Sequence, residues 1–235
     1  MIILECIHSK TEILKRIMKL RAGFVMTEER GKKRMEDNRV EENQVYVSGE
    51  IISGFRSGFR RCCTDYYVAE IAVRRLSSRI DCIPVLFRDG MVDAACDYVG
   101  RYVSVTGQYV SYNLYEDGKR RLKLYVMAGK WELLDAGGRN ADENYIFLDG
   151  HICREPIYRK TPLGRSITDL LVVVGSPGKM SCYIPCICWG KTAYAAASLP
   201  VGARVGITGR IQSREYCKRL DPFTSEKRIA MKCLL

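Results

Sequence analysis

The stretch YIPCICWGKTAYAAASLPVGARVGITGRIQSREY, residues 183–216, decides the fold. It opens on an alternating run that ends in Trp189-Gly190-Lys191. In a strand, Ile184, Cys186 and Cys188 share one face, and Tyr183, Pro185, Ile187 and Trp189 share the other. The first set suits a core, which turns Tyr183 and Trp189 outward. An Ala-rich segment at about 191–198 predicts a short helix. A Gly-marked turn follows, then a second alternating run that carries Arg210, Arg214 and Tyr216. Rings and cations therefore project from one small sheet. Such a surface suits stacking on bases and neutralising phosphates.

The pattern occurs twice in the chain. Residues 43–51, NQVYVSGEI, match residues 144–152, NYIFLDGHI, each a period-two run with Gly in the same place. Ile83-Pro84 matches Ile184-Pro185 at the same separation. Val103-Ser104-Val105-Thr106-Gly107 matches Val205-Gly206-Ile207-Thr208-Gly209 one residue later. A late run, Leu122 to Val126, matches Ile229 to Cys233. Each unit reads as three strands, a short helix and two strands, with the first unit's helix expected at about 92–98. That order predicts an all-β chain of two tandem OB-folds, five-stranded Greek-key barrels with a helix between strands three and four. The expected divisions are an N-terminal extension at 1–42, barrels at 43–134 and 144–235, and a Gly-marked linker at 135–143.

Both units resemble the bacterial single-stranded DNA-binding protein family. The second is the closer, through Asn144 to Gly150, Thr161-Pro162-Leu163-Gly164-Arg165, Trp189-Gly190-Lys191, and residues 209–216. The resemblance implies sequence-tolerant binding of single-stranded DNA, no catalysis, and assemblies of four OB-folds, hence a homodimer of a two-barrel chain. The first unit departs from the pattern. It has Cys82, Arg88 and Leu114 where the second has Tyr183, Trp189 and Tyr216. Phe55, Phe59, Tyr109 and Tyr112 are its compensating aromatics, and weaker binding is expected there.

The loops that OB-folds use to grip oligonucleotides lie between strands one and two and between strands four and five. Here the first is flanked by Arg154, Arg159, Lys160 and Arg165, and the second by Lys218, Arg219, Lys227 and Arg228. The candidate interface is therefore Tyr183, Trp189, Lys191, Arg210, Arg214, Tyr216, Arg154, Arg159, Lys160, Arg165, Lys218 and Arg219 in the second unit, with Phe59, Arg88, Tyr109 and Tyr112 in the first. A net charge of +11 fits an anionic partner.

Eleven cysteines, an odd number with no secretory leader, predict free thiols in a reducing cytosol. Cys182, Cys186 and Cys188 lack the paired spacing of a zinc site, and the chain has only two histidines, so buried apolar thiols are expected and no cofactor. No P-loop, paired-carboxylate motif or Cys-His arrangement points to an enzyme. The expected setting is cytoplasmic and nucleoid-associated, in replication, repair or recombination. An RNA-binding OB protein and a primosome-like adaptor are the alternatives.

The two ends depart from the family. Ser9-x-x-Glu12 starts a segment with Ile13, Ile17 and Leu20 on one stripe, a capped amphipathic helix. The stronger reading takes Met35 as the initiator, because Glu28 to Arg34 can all be encoded by purines, as in a translated ribosome-binding site. Residues 231–235, MKCLL, fit a frameshift of a family ending after Ala230, which truncates the last strand. The acidic tail through which the family recruits replication proteins is missing from the given sequence.

Overall fold

A computed structural model describes residues 2–5, 43–61, 63–116, 118–134, 142–175, 181–219 and 225–234. Their strands are β1 Ile2–Glu5, β2 Asn43–Ile51, β3 Arg56–Arg61, β4 Thr64–Arg74, β5 Ile80–Arg88, β6 Tyr102–Glu116, β7 Lys119–Leu133, β8 Glu143–Ile152, β9 Ile157–Lys160, β10 Ser166–Val174, β11 Cys182–Trp189, β12 Arg204–Arg219 and β13 Ser225–Leu234. The one described helix, α1, is Lys191–Ala197.

The first barrel closes in the order β2, β6, β7, β5, β4 and back to β2. The second closes as β8, β12, β13, β11, β10 and back to β8. Each is sealed by a short parallel pairing of its third and fifth strands, Val85 with Val126 and Leu86 with Met127, then Cys186 with Cys233 and Ile187 with Leu234. β3 and β9 form hairpins on β4 and β10. The tandem OB-fold read from the repeat is the fold of the chain.

The interiors are lined by one face of each strand. Ile71, Ile83, Val85, Phe87, Val105 and Val126 fill the first barrel, and Leu170, Val172, Ile184, Cys186, Cys188, Ile207 and Cys233 fill the second. The repeated glycine has a steric cause. A Cβ on Gly49 would lie 2.2 Å from the Ala72 carbonyl oxygen, and one on Gly150 would lie 2.3 Å from that of Val173. Both mark the place where a barrel's first strand crosses its second.

The repeated asparagine has a cause as well. Asn43 donates through Nδ2 to the Tyr109 carbonyl (2.7 Å), and its Oδ1 accepts from the Tyr109 N–H (2.8 Å). Asn144 makes the same pair with Ile211, at 2.7 and 2.8 Å. In each barrel the ladder to the fourth strand ends two residues away, at Val45 with Gly107 and at Ile146 with Gly209, while the first strand's other edge pairs with the other barrel, β2 against β8, from Asn43 with Leu148 to Ser48 with Glu143. The amide side chain replaces the ladder contact that the diverging backbone gives up.

A second contact joins the barrels. The Cys82 N–H donates to Ser213 Oγ, and the Tyr183 N–H donates to Ser111 Oγ, each at 2.9 Å. On the Cys82 side only, a buried ion pair is added. Arg75 chelates Asp81 through Nε (2.6 Å) and Nη2, and Asp81 Oδ1 accepts from the Ser213 N–H (2.9 Å).

Two expectations need revision. The first barrel has no helix at 92–98; that segment is a series of turns. Asp93 Oδ1 takes the Ala95 N–H (3.0 Å) and Asp97 Oδ1 takes the Val99 N–H (2.9 Å), local bonds that compete with helix formation. The barrel end is filled instead by Trp131, edge-on to Phe87 and Tyr98, with its Nε1 donating to the Met91 carbonyl (2.8 Å). The last strand begins at Ser225, before the run expected to form it, and pairs with β12 over its whole length. β1 lies parallel to β12, from Ile2 with Val205 to Glu5 with Thr208, on the stretch of edge whose counterpart in β6 is covered by the end of β7. The rest of the N-terminal extension, with the expected helix and Met35, and linker residues 135–141 lie outside the described residues. No helix among the described residues is long and apolar enough to cross a membrane.

Candidate nucleic-acid interface

Burial alternates residue by residue along β11. Cys182, Ile184, Cys186 and Cys188 are buried, while Tyr183 is 47% exposed and Pro185, Ile187 and Trp189 are half-buried. Trp189 therefore lies on the outer face and does not plug the barrel. Its Nε1 is covered yet has no hydrogen-bond partner among the described residues. The next residue, Gly190, turns the chain at φ +58°, which a side chain would resist, and Lys191 starts α1 exposed.

The ladders arrange the outer face. Arg159, Ile167 and Trp189 sit on one rung across β9, β10 and β11. Ile157, Asp169, Ile187, Leu234 and Arg210 make the next, reaching β12 through β13. Arg210 is half-buried and Arg214, two pleats further along β12, is exposed. Tyr216, Lys218 and Arg219 belong to the same strand by backbone, but their side chains are outside the described set. Arg154, Lys160 and Arg165 are exposed around the hairpin of β9 and β10. Lys160 is on the opposite face of that hairpin from Arg159.

One cation is already engaged. Arg159 Nε donates to Asp169 Oδ2 at 2.7 Å, and the carboxylate side chain is 17% exposed. Asp169 is a functional group that the sequence reading missed, an anion in the middle of a cationic face. The alternation of β10 placed it outward, but nothing in the sequence paired it with Arg159.

In the first barrel the candidates divide. Tyr109 is corrected: it is 0% exposed, so it cannot meet a base at the surface. Burial, and then the nearby Cys233 and Cys186 thiols, raise its phenol well above the usual range, and its hydroxyl has no hydrogen-bond partner among the described residues. Phe55 packs edge-on to Phe87 and Tyr98, at the barrel end. Phe59 and Tyr112 do meet, with centroids 4.6 Å apart, and Phe59 stacks on Tyr66 at 5.7 Å and 29°. Tyr112 keeps 9% of its surface. Arg88 is exposed at the end of β5, directly across the ladder from Tyr66. Arg56 is engaged with Glu70 at 2.9 Å and Arg60 with Asp65 at 3.6 Å, while Arg88 has no side-chain partner among the described residues.

The thiols of the second barrel are a core feature. Cys182, Cys186, Cys188 and Cys233 are free and buried. Burial pushes Cys188 up to about 12, and the hydrogen bond with Cys233, followed by burial, pushes Cys186 well up. A further cluster, Tyr158, Ser166 and Tyr194, links three hydroxyls at 2.8 and 2.9 Å on the face of the hairpin away from Trp189.

Residues 143–232 match the Single-strand binding protein family. The single-stranded DNA-binding protein of Clostridium tetani is 34% identical over 80 residues, 31% of this chain and 55% of that protein. That of Halalkalibacterium halodurans is 32% identical over 80 residues, 31% of this chain and 48% of that protein. Single-stranded DNA-binding protein B of Bacillus subtilis is 31% identical over 80 residues, 31% of this chain and 71% of that protein. The chain spans about half the length of most of the curated relatives it matches. In structure it is similar to the wild-type single-stranded DNA binding protein of Thermus aquaticus, with a TM-score of 0.60, 18% identity, and 82% of this chain and 89% of that chain covered. That likeness is one of fold.

Proposed function

The chain belongs to the bacterial single-stranded DNA-binding protein family, and from this premise we propose that it binds single-stranded DNA without sequence preference and without catalysing a reaction. The observation that carries the proposal is the outer face of the second barrel. It holds an exposed Tyr183 and a half-buried Trp189, whose indole N–H is unpaired among the described residues, on one strand, with Arg210 and Arg214 on another. Bases have π-faces whatever their identity, so stacking on such rings tolerates any sequence and is worth about 1–3 kcal/mol per base. Lys191, Arg214, Arg154 and Arg165, all exposed, supply phosphate contacts around the rings. Tyr216, Lys218 and Arg219 extend the same strand.

The setting that fits this activity is the bacterial cytoplasm and nucleoid, in replication, repair or recombination. Within one chain β2 and β8 already join two barrels through their first strands, and a homodimer would then hold four OB-folds. Light scattering tests the dimer, and a strict monomer at micromolar concentration refutes it.

Fluorescence titration with poly-dT, duplex DNA and poly-U at two salt concentrations tests the activity. Trp189 emission should fall with poly-dT, far less with duplex, and the affinity should drop as salt rises. Equal affinity for duplex and single strand overturns the reading. A preference for poly-U moves it to RNA.

A further inference from the structure

Tyr158, Ser166 and Tyr194 meet outside the candidate interface, and each is held by a different element. Tyr158 lies on β9, across from Thr168, and Ser166 opens β10, across from Lys160. Tyr194 lies on α1, which is seated on the barrel by buried Ala193 and Ala196 and by a bond from Thr168 Oγ1 to the Ala193 carbonyl (2.7 Å). The hydroxyls form a chain. Ser166 Oγ donates its one proton to Tyr194 Oη (2.9 Å), so Tyr158 Oη donates to Ser166 Oγ (2.8 Å). The two rings stand 5.5 Å apart between centroids and are tilted by 37°. Tyr158 is 38% exposed and Tyr194 is 60% exposed. Two phenols are thus fixed side by side within reach of solvent.

We propose that Tyr158 and Tyr194 form an oxidative modification site, at which the two rings are joined through their ortho carbons and the β9–β10 hairpin is tied covalently to α1. The oxidant is hydrogen peroxide acting through a haem peroxidase. Each phenol gives up one electron and one proton and becomes a phenoxyl radical. The radicals couple in a carbon–carbon bond, and the hydrogen on each coupling carbon moves to its oxygen, which restores the aromatic ring. The pair loses two hydrogens in all. The peroxide takes up both electrons and both protons and becomes two molecules of water. The geometry favours this pair. The bond from Ser166, then Tyr158 and the charge of Lys160, hold the Tyr194 phenol below its usual range, and a phenolate gives up an electron more readily than a phenol. Partners fixed side by side react as one molecule, so coupling within the chain outruns coupling between chains. Tyr112 and Tyr125 also meet, at 6.2 Å, but Tyr112 is buried, which shields that pair from an external oxidant.

The full chain tests this directly. Its exposed thiols are alkylated first, because thiols quench phenoxyl radicals, and it is then treated with a haem peroxidase and hydrogen peroxide. The product that runs as a single chain in denaturing gels should gain the blue emission of a biphenol and lose the mass of two hydrogens. Its digest should hold one cross-linked pair of peptides, with Tyr158 in one and Tyr194 in the other. Tyr158→Phe and Tyr194→Phe keep both rings, and each should abolish the single-chain emission. Tyr115→Phe removes an exposed phenol of β6 and should leave that emission unchanged. Thermal melts show whether each variant is folded. A single-chain cross-link that persists in either of the first two variants, or that maps to other tyrosines, overturns the proposal. Coupling of the parent chain only to other chains overturns it as well.

Discussion

Val45 faces Ile146 across the central ladder, and the two are the same residue of the repeated unit. A local twofold axis therefore passes between them. The bonds from the Cys82 N–H to Ser213 and from the Tyr183 N–H to Ser111 are mates under that axis. The Asp81–Arg75 pair has no mate, because the place of Asp81 is taken by the buried Cys182. The backbone is thus symmetric where the side chains are not.

Trp189→Ala should weaken binding to poly-dT by about 1–3 kcal/mol, the worth of one stacked base. Arg88→Ala should cost less, since it removes a cation and no ring. Equal losses in titrations at one salt concentration would refute the unequal division between the barrels.

Asp169→Asn should tighten binding and steepen its salt dependence. The change removes an anion from the face and releases Arg159 from its 2.7 Å bond. By the same reasoning Arg159→Ala should alter the salt slope less than Arg214→Ala, whose guanidinium is exposed. Binding isotherms at several salt concentrations give both slopes.

Asn43→Ala should destabilise the fold more than Asn144→Ala. Each removal strands a backbone N–H and C=O, at about 1–3 kcal/mol per buried group left unpaired. Asn43 is 2% exposed, whereas Asn144 is half-buried and water can replace part of its bonding. Urea midpoints of the two variants decide the order.

Asp81→Ala should lower the thermal midpoint sharply. The side chains of Asp81 and Arg75 are 1% and 10% exposed, so the change leaves a charge buried without its partner, a loss of about 3–5 kcal/mol. The Ser213 N–H loses its acceptor in the same step. A midpoint close to that of the parent chain would show that the pair is dispensable.

Alkaline pH should unfold the second barrel. The Cys188 thiol, ordinarily near 9.0, is raised to about 12 by burial, so the folded state holds its proton more tightly than the unfolded one. That contribution to stability is complete below about pH 9 and declines as pH rises towards 12. Denaturant midpoints at pH 8 and pH 10.5 should differ in that direction. At pH 8 an alkylating reagent should label the exposed Cys63 in the native protein, and Cys186 and Cys188 only after unfolding.

The sequence by itself determined the two barrels and the outward rings of β11, whereas the seam between the barrels was visible only in the structure. Period-two alternation states which side of a strand is apolar, and that is a local property of consecutive residues such as Tyr183 to Trp189. A repeated Gly or Asn, as at Gly49 and Gly150, marks a backbone need that recurs with the fold. Only the tertiary structure decided which groups meet. Asp169 neutralises Arg159, and Tyr66 stands across from Arg88, because of the register between strands that other segments separate in the chain. Tyr109, a compensating aromatic by its place in the repeat, is buried beside Cys186 and Cys233 of the second barrel. Short-range rules also misled at 92–98, where Asp93 and Asp97 bind the backbone that a helix would need. Periodicity is written in neighbouring residues, whereas pairing and burial are set by the whole packed chain, and the chemistry of a binding face depends on the second.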